Sequence, residues 1–122
     1  MRAENRIDYV EIPVADLEGA RKFLAAMFGW EFQAWGDDYI SFNDGRLDGG
    51  LERASERAPG KGVLLVFYSK DLERDLARVQ QLGASISADI FDFPGGRRFH
   101  FIDPAGIEYA LWSDKLDNDN GA

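Results

Sequence analysis

The chain has 122 residues and a formal charge of −8, with a pI near 4.5; the length suits one domain with a real core, and the acidity argues against nucleic acid, whose phosphates need a basic face. Hydrophobic residues make up 45%, too many for a disordered chain, yet no apolar run nears the roughly 20 residues that span a bilayer and the first residues lack the apolar core of a signal peptide. The expectation is a soluble, cytoplasmic protein with no membrane partner, and zero cysteines exclude disulfides, thiolate metal sites and a cysteine nucleophile.

"IDYVEIPV", residues 7–14, is rich in β-branched and apolar residues and reads as a strand. "DLEGARKFLAAMFG" follows as a helix. Asp16 can accept from the free N–H groups of its first turn, Leu17, Ala20, Leu24, Met27 and Phe28 recur at helical spacing, and Gly29 suits the left-handed position that ends a helix. "WEFQAW", "DYISFN" and "LDGGLER" are three short strands, with "NDG" as a hairpin turn. The pattern then restarts after the polar connector "SERAPGKG". "VLLVFY" is a strand; "DLERDLARVQQLG" is a helix capped by Asp71 and closed by Gly83, with Leu72, Leu76, Val79 and Leu82 on one stripe. "ASISADIF", "RRFHFID" and "IEYALWS" are three more strands.

The order βαβββ therefore occurs twice, and "VADLEGARKFL" overlays "SKDLERDLARV" at the same helix cap. The predicted class is α+β: one domain over 1–113, built of modules at about 5–54 and 61–113, with 114–122 an acidic, disordered tail. Two curved mixed sheets side by side, with their helices outside, predict a concave inner face for a ligand.

A strand shows alternate side chains to opposite faces. Val10, Ile12, Leu65, Phe67, Phe99, Phe101, Tyr109 and Leu111 form the apolar set expected under the helices, and Phe23 and Phe28 are expected to join this core. The other parity faces inward: Tyr9 and Glu11 on the first strand, Gly50 and Glu52 on the fourth, Leu64, Val66 and Tyr68 on the fifth. In the last two strands the inward set is Arg98, His100 and Ile102, then Glu108, Ala110 and Trp112. Trp35, Tyr39, Tyr68 and Trp112 are candidates to line or rim a pocket, where they would stack on a flat or cationic ligand. His100 is either a strand histidine satisfied by a nearby carboxylate or carbonyl or, with Glu11, a candidate for ligand contact or acid/base chemistry. "DDYISFNDGRLDGG" does not have the spacing of a calcium loop, no helix follows "GGRR" to cradle a phosphate, and Ser41, Ser69 and Ser113 sit in no nucleophile motif.

"IDYVEIPVADLEGARKFLAAMFGWEFQAW", "YSKDLERDLARVQQLGA" and "RRFHFIDPAGIEYALW" resemble the vicinal oxygen chelate superfamily, the group of glyoxalase I, bleomycin-resistance proteins and extradiol dioxygenases. The resemblance covers about residues 5–113, and its ending, F-x-DP-x-G followed by a strand, is fairly specific. It implies a divalent metal held by one His, Gln or Glu from each of four strands. On this chain those positions are Tyr9, Gly50, Leu64 and Ala110. A metal of this kind needs nitrogen or oxygen donors in fixed geometry, and glycine, leucine and alanine side chains have none. The expectation is therefore a glyoxalase-like protein without metal or cofactor that binds a small organic molecule, with homodimerisation implied by the resemblance. The alternatives are a lyase, isomerase or dioxygenase with a displaced metal drawn from His100, Glu11, Glu52 and Glu108, metal-free acid/base catalysis, or an interaction module with no pocket.

Overall fold

Asp16 and Gly29 bracket the first helix as their chemistry demands. In the computed structural model, which describes residues 3–54 and 62–114, Asp16 Oδ1 accepts from Gly19 N at 3.0 Å, and Gly29 sits at φ 72° with its N–H on Ala25 O. The elements in order are β1 (Ile7–Val14), α1 (Leu17–Phe28), β2 (Glu31–Ala34), β3 (Tyr39–Asn43), β4 (Asp48–Arg53), β5 (Leu64–Tyr68), α2 (Leu72–Gln81), β6 (Ser85–Phe93), β7 (Gly96–Ile102) and β8 (Glu108–Ser113). This is an α+β chain with βαβββ written twice. The expected tail beyond residue 114, and most of the polar connector, lie outside the described residues.

The chain divides into two compact units, Tyr9–Leu65 and Met1–Asp8 with Val66–Ala122. The first has strand order β2-β3-β4-β1. Its β2, β3 and β4 are antiparallel neighbours, and β4 pairs with β1 in parallel, setting Glu11 opposite Gly50 and Ile12 opposite Leu51. One face packs on α1 through Leu17, Ile40, Phe42 and the fully buried Leu51, with Ile12, Val14, Leu24 and Phe32 around them. Gly49 is required by this packing. A Cβ there would strike the Phe42 ring and come to 2.5 Å from Val10 O.

In the second unit the order is β5-β8-β7-β6. Its helix-side face is aromatic: Phe99, fully buried, lies 5.9 Å from Phe101, which lies 5.7 Å from Tyr109. Arg97 shares that parity. It is 3% exposed and reaches Glu73 of α2 at 2.8 Å, tying sheet to helix, and its guanidinium holds the Glu73 carboxyl below its ordinary range. Buried Ser69 accepts from Asp71 N at 3.0 Å and donates to Asp75 at 2.6 Å, fixing the start of α2. Glu4 accepts there from Lys70 N and Arg74. No helix among the described residues is long and apolar enough to cross a membrane.

One expectation about the core is corrected. Phe23 and Phe28 are 64% and 55% exposed, as are Met27 at 65% and Leu82 at 63%. The apolar residues of α1 run wider than its contact stripe, because the core is filled from the sheet by Ile40, Phe42 and Leu51. The energetic consequence is testable by urea denaturation. Leu51→Ala is expected to cost about 2–5 kcal/mol, the range for truncating a buried leucine. Leu82→Ala, outside the apolar patch of α1 and as exposed as Phe23, is expected to stay within about 0.5 kcal/mol, as at other exposed sites. Equal losses would contradict this division of the core.

Candidate functional site

The helix-free face of the first unit follows from β-strand parity. Ile12 packs with the α1 core, so Tyr9 and Glu11 point the other way. Glu11 stands opposite Gly50 on β4, Gly50 opposite Ser41 on β3, and Tyr39 opposite Glu52. These strands bring three polar groups together. Tyr9 Oη and Tyr39 Oη are 2.5 Å apart, and Tyr39 Oη donates to Glu11 Oε2 at 3.2 Å. Glu11 is only 8% exposed.

Gly50 makes that meeting possible. A Cβ at position 50 would collide with the Tyr39 hydroxyl and lie 2.7 Å from the Tyr9 hydroxyl. The two phenol oxygens thus occupy the space a side chain at 50 would take. Burial raises the pKa of Tyr39, and the bond from Tyr9 and the charge of Glu11 raise it further, so this group stays a neutral phenol. At the edge of the same face Trp35 Nε1 donates to Ser41 Oγ at 2.9 Å, which holds an indole that is 60% exposed. Glu52 is half-buried beside Tyr39 in the ladder.

On the second unit's helix-free face the residues form two groups. Tyr68 meets Trp112 edge-on at 5.5 Å, and Phe93 lies 6.0 Å from Trp112. Trp112 Nε1 donates to Asp8 Oδ2 at 2.9 Å, and Tyr68 Oη donates to Asp114 at 2.7 Å. Arg98 lies over the rings of Phe91 and Phe93 at 5.5 and 5.7 Å. The second group is His100 and Glu108, with Nδ1 and Oε2 3.4 Å apart; Ser87 Oγ donates to the same carboxylate oxygen at 3.0 Å. Ala110, fully buried, stands opposite His100 in the ladder. Leu64 is half-buried at the start of β5 and offers only carbon.

Asp8, Ser87, Phe91, Phe93 and Asp114 are participants that reading the sequence did not single out. Two register shifts in the β6–β7 ladder, between Ile86 and Ala88 and between Ala88 and Phe91, re-aim β6 side chains from one face to the other. An alternation count along "ASISADIF" cannot locate those shifts.

The sequence profile of the Glyoxalase/Bleomycin resistance protein/Dioxygenase superfamily matches residues 6–111. The chain belongs to that superfamily. It is 27% identical over 122 residues to a "Glyoxylase-like domain-containing protein" of Didymella fabae, covering 91% of this chain and 95% of that one. Solved structures share the fold. A superfamily member from Vibrio splendidus 12B01 superposes with a TM-score of 0.72 at 20% identity, over 86% of this chain and 96% of that one. Methylmalonyl-CoA epimerase from Mycobacterium tuberculosis gives 0.71 at 17%, over 98% and 93%. The Mn(II)-bound glyoxalase from Novosphingobium aromaticivorans gives 0.67 at 20%, over 93% of this chain but 40% of that one.

The Mn(II) of that last relative prompts a test of fit. At Gly50, Leu64 and Ala110 there is no side-chain donor, and at Tyr9 the only donor is a phenol bonded to a second phenol. Among the described residues no group of three or more His, Cys, Asp or Glu side chains is gathered to hold an ion. The residues at the four positions do not fit a metal.

If Gly50 and Tyr39 serve one hydrogen-bonded chain, their substitutions should not be independent. Tyr39→Phe and Gly50→Ala are each expected to cost about 1–3 kcal/mol, the first by leaving polar groups short of a bond and the second by overpacking. The double variant should cost clearly less than the sum, because both break the same chain. Strict additivity in denaturation midpoints would contradict the coupling.

Proposed function

We propose that this chain is a metal-independent, small-molecule-binding member of its superfamily, acting in sequestration or sensing of an organic ligand. The observation that carries the reading is the Tyr9–Tyr39–Glu11 chain over Gly50. It supports the reading because, of the four positions where the superfamily resemblance implies metal ligands, position 50 has no side chain and the Tyr9 hydroxyl is bonded to a second phenol. The aromatic and polar side chains on the helix-free faces, Trp35, Arg98 and Trp112 among them, supply the flat surfaces and few oriented polar groups that small-ligand sites use. A homodimer and a cytoplasmic setting belong to the same proposal. Phe23, Met27 and Phe28, each more than half exposed on α1, are apolar surface that a second copy would cover.

A second reading is favoured by one observation, the contact of His100 Nδ1 with Glu108. A carboxylate at Nδ1 orients an imidazole and supports the positive charge it gains when the other ring nitrogen takes a proton. The chemistry in that case is metal-free acid/base catalysis with His100 as the proton-transfer group. Turnover that disappears in His100→Gln while ligand affinity persists would select it over simple binding.

The leading reading is checked by a ligand screen read by thermal shift, followed by titration of any hit with and without EDTA. The expected result is the same dissociation constant in both. Loss of binding in EDTA, restored by a divalent cation, would remove the metal-independent reading.

A further inference from the structure

Trp35 is exposed and yet fixed. Its indole is largely open to solvent, although tryptophan is a residue that folding usually covers. Its Nε1 donates to Ser41 Oγ at 2.9 Å. An indole nitrogen only donates, so Ser41 is the acceptor there, and the Ser41 hydrogen goes to the backbone carbonyl of Gln33 at 3.4 Å. The polar group of the indole and the hydroxyl hydrogen that answers it are therefore used between β2 and β3. What Trp35 presents outward is a held ring with no further polar demand.

Gln33 is its neighbour on the same face. Phe32 packs with the α1 core, so Glu31 and Gln33 take the helix-free parity, and Gln33 stands directly opposite Ser41. Trp35 N donates to Tyr39 O at 2.8 Å, which carries the ladder one step beyond β2. The bond to Ser41 draws the indole back toward Gln33. Two strand positions span roughly 7 Å, so ring and amide lie within reach of one small ligand. The Gln33 side chain is exposed, and among the described residues its amide bonds to no other group. β2 is the outer strand of its unit, so no further strand of that unit lies beyond it.

A primary amide sets an acceptor oxygen beside N–H donors. Its complement is a second amide turned the other way, which accepts at one end and donates at the other. The fixed indole supplies a surface on which a flat ring carrying that amide can stack. Glu31, next along the same face and exposed, opposes an anion. We infer that the face between Gln33 and Trp35 recognises a neutral aromatic carboxamide or lactam. The ring of the ligand stacks on the Trp35 indole, and its amide edge pairs with the Gln33 amide. This deepens the small-molecule reading above and rests on it.

The test uses three probes of one shape: benzamide, acetophenone and benzoate. The first has the full amide edge, the second keeps only the acceptor, and the third is an anion. Each is titrated into the full-length protein at neutral pH, and backbone amide and indole N–H shifts give both location and affinity. Benzamide is expected to move the signals of Gln33, Trp35 and Ser41 and to bind at least about threefold tighter than acetophenone, the scale of one net hydrogen bond. Benzoate is expected to bind most weakly. Gln33→Met keeps the length of an exposed side chain and is expected to bring benzamide level with acetophenone, whose own binding is unchanged. Trp35→Leu is expected to abolish the shifts with every probe. Should that variant fail to fold, Trp35→Phe keeps a ring and is expected to keep the preference for benzamide. Acetophenone or benzoate binding as tightly as benzamide overturns the carboxamide assignment and leaves the small-molecule reading standing, as does a preference that survives Gln33→Met. Absence of shifts at millimolar benzamide overturns it too. Trp35 signals that respond to protein concentration and not to probe assign the ring to a contact between copies, which also overturns it. Probe binding that EDTA abolishes overturns the metal-independent reading instead.

Discussion

Two phenol oxygens and a carboxylate meet where only a hydrogen atom fits. Position 50 lies between β1 and β3 in the ladder, and any Cβ there would occupy the place of the Tyr39 hydroxyl. The chemistry of this face depends on that absence. With glycine, Tyr39 reaches across β4 to Glu11 and also meets the Tyr9 hydroxyl. With a larger residue the phenols must separate, and a nearly buried carboxylate loses a donor, which is costly in a low-dielectric setting. The same fold is thus compatible with quite different chemistry. Across β1, β3 and β4 the groups presented here are two phenols and a carboxylate.

Superfamily membership constrains architecture more firmly than activity. The profile match spans nearly the whole chain, and the structural relatives include proteins as different as an epimerase and a Mn(II)-bound glyoxalase. At identities of 17–20% these likenesses establish the fold and leave the reaction to be argued from the residues. Here the donor atoms decide it. The second unit adds a different set: a guanidinium over two phenylalanine rings and an imidazole beside a carboxylate. Each unit therefore offers its own chemistry from the same strand parity.

Much of the scaffold was legible because it is local. Asp16, Gly29 and Asp71 announce helix ends through capping chemistry that depends on a few neighbouring residues. The faces of β1, β7 and β8 were legible because alternation is regular there, so Tyr9, Glu11, Arg98, His100, Glu108 and Trp112 could be assigned a side. The close meeting of Tyr9 with Tyr39 was not, because register between strands 30 residues apart is set by pairing and not by pattern. The β6 faces were hidden by register shifts. Phe23 and Phe28 were misjudged for a related reason: apolar character says what a residue tolerates, and the supply of sheet residues decides whether it is needed inside.

The central claim is that oxygen groups of Tyr9, Tyr39 and Glu11 bond to one another instead of to an ion. Elemental analysis by mass spectrometry tests it most directly, on full-length protein purified without chelator and then equilibrated with Mn²⁺, Ni²⁺, Zn²⁺ or Fe²⁺ and desalted. The account predicts far less than one ion per chain under every condition. One tightly held ion per chain, lost on substitution of Glu11 or Tyr9, would contradict it.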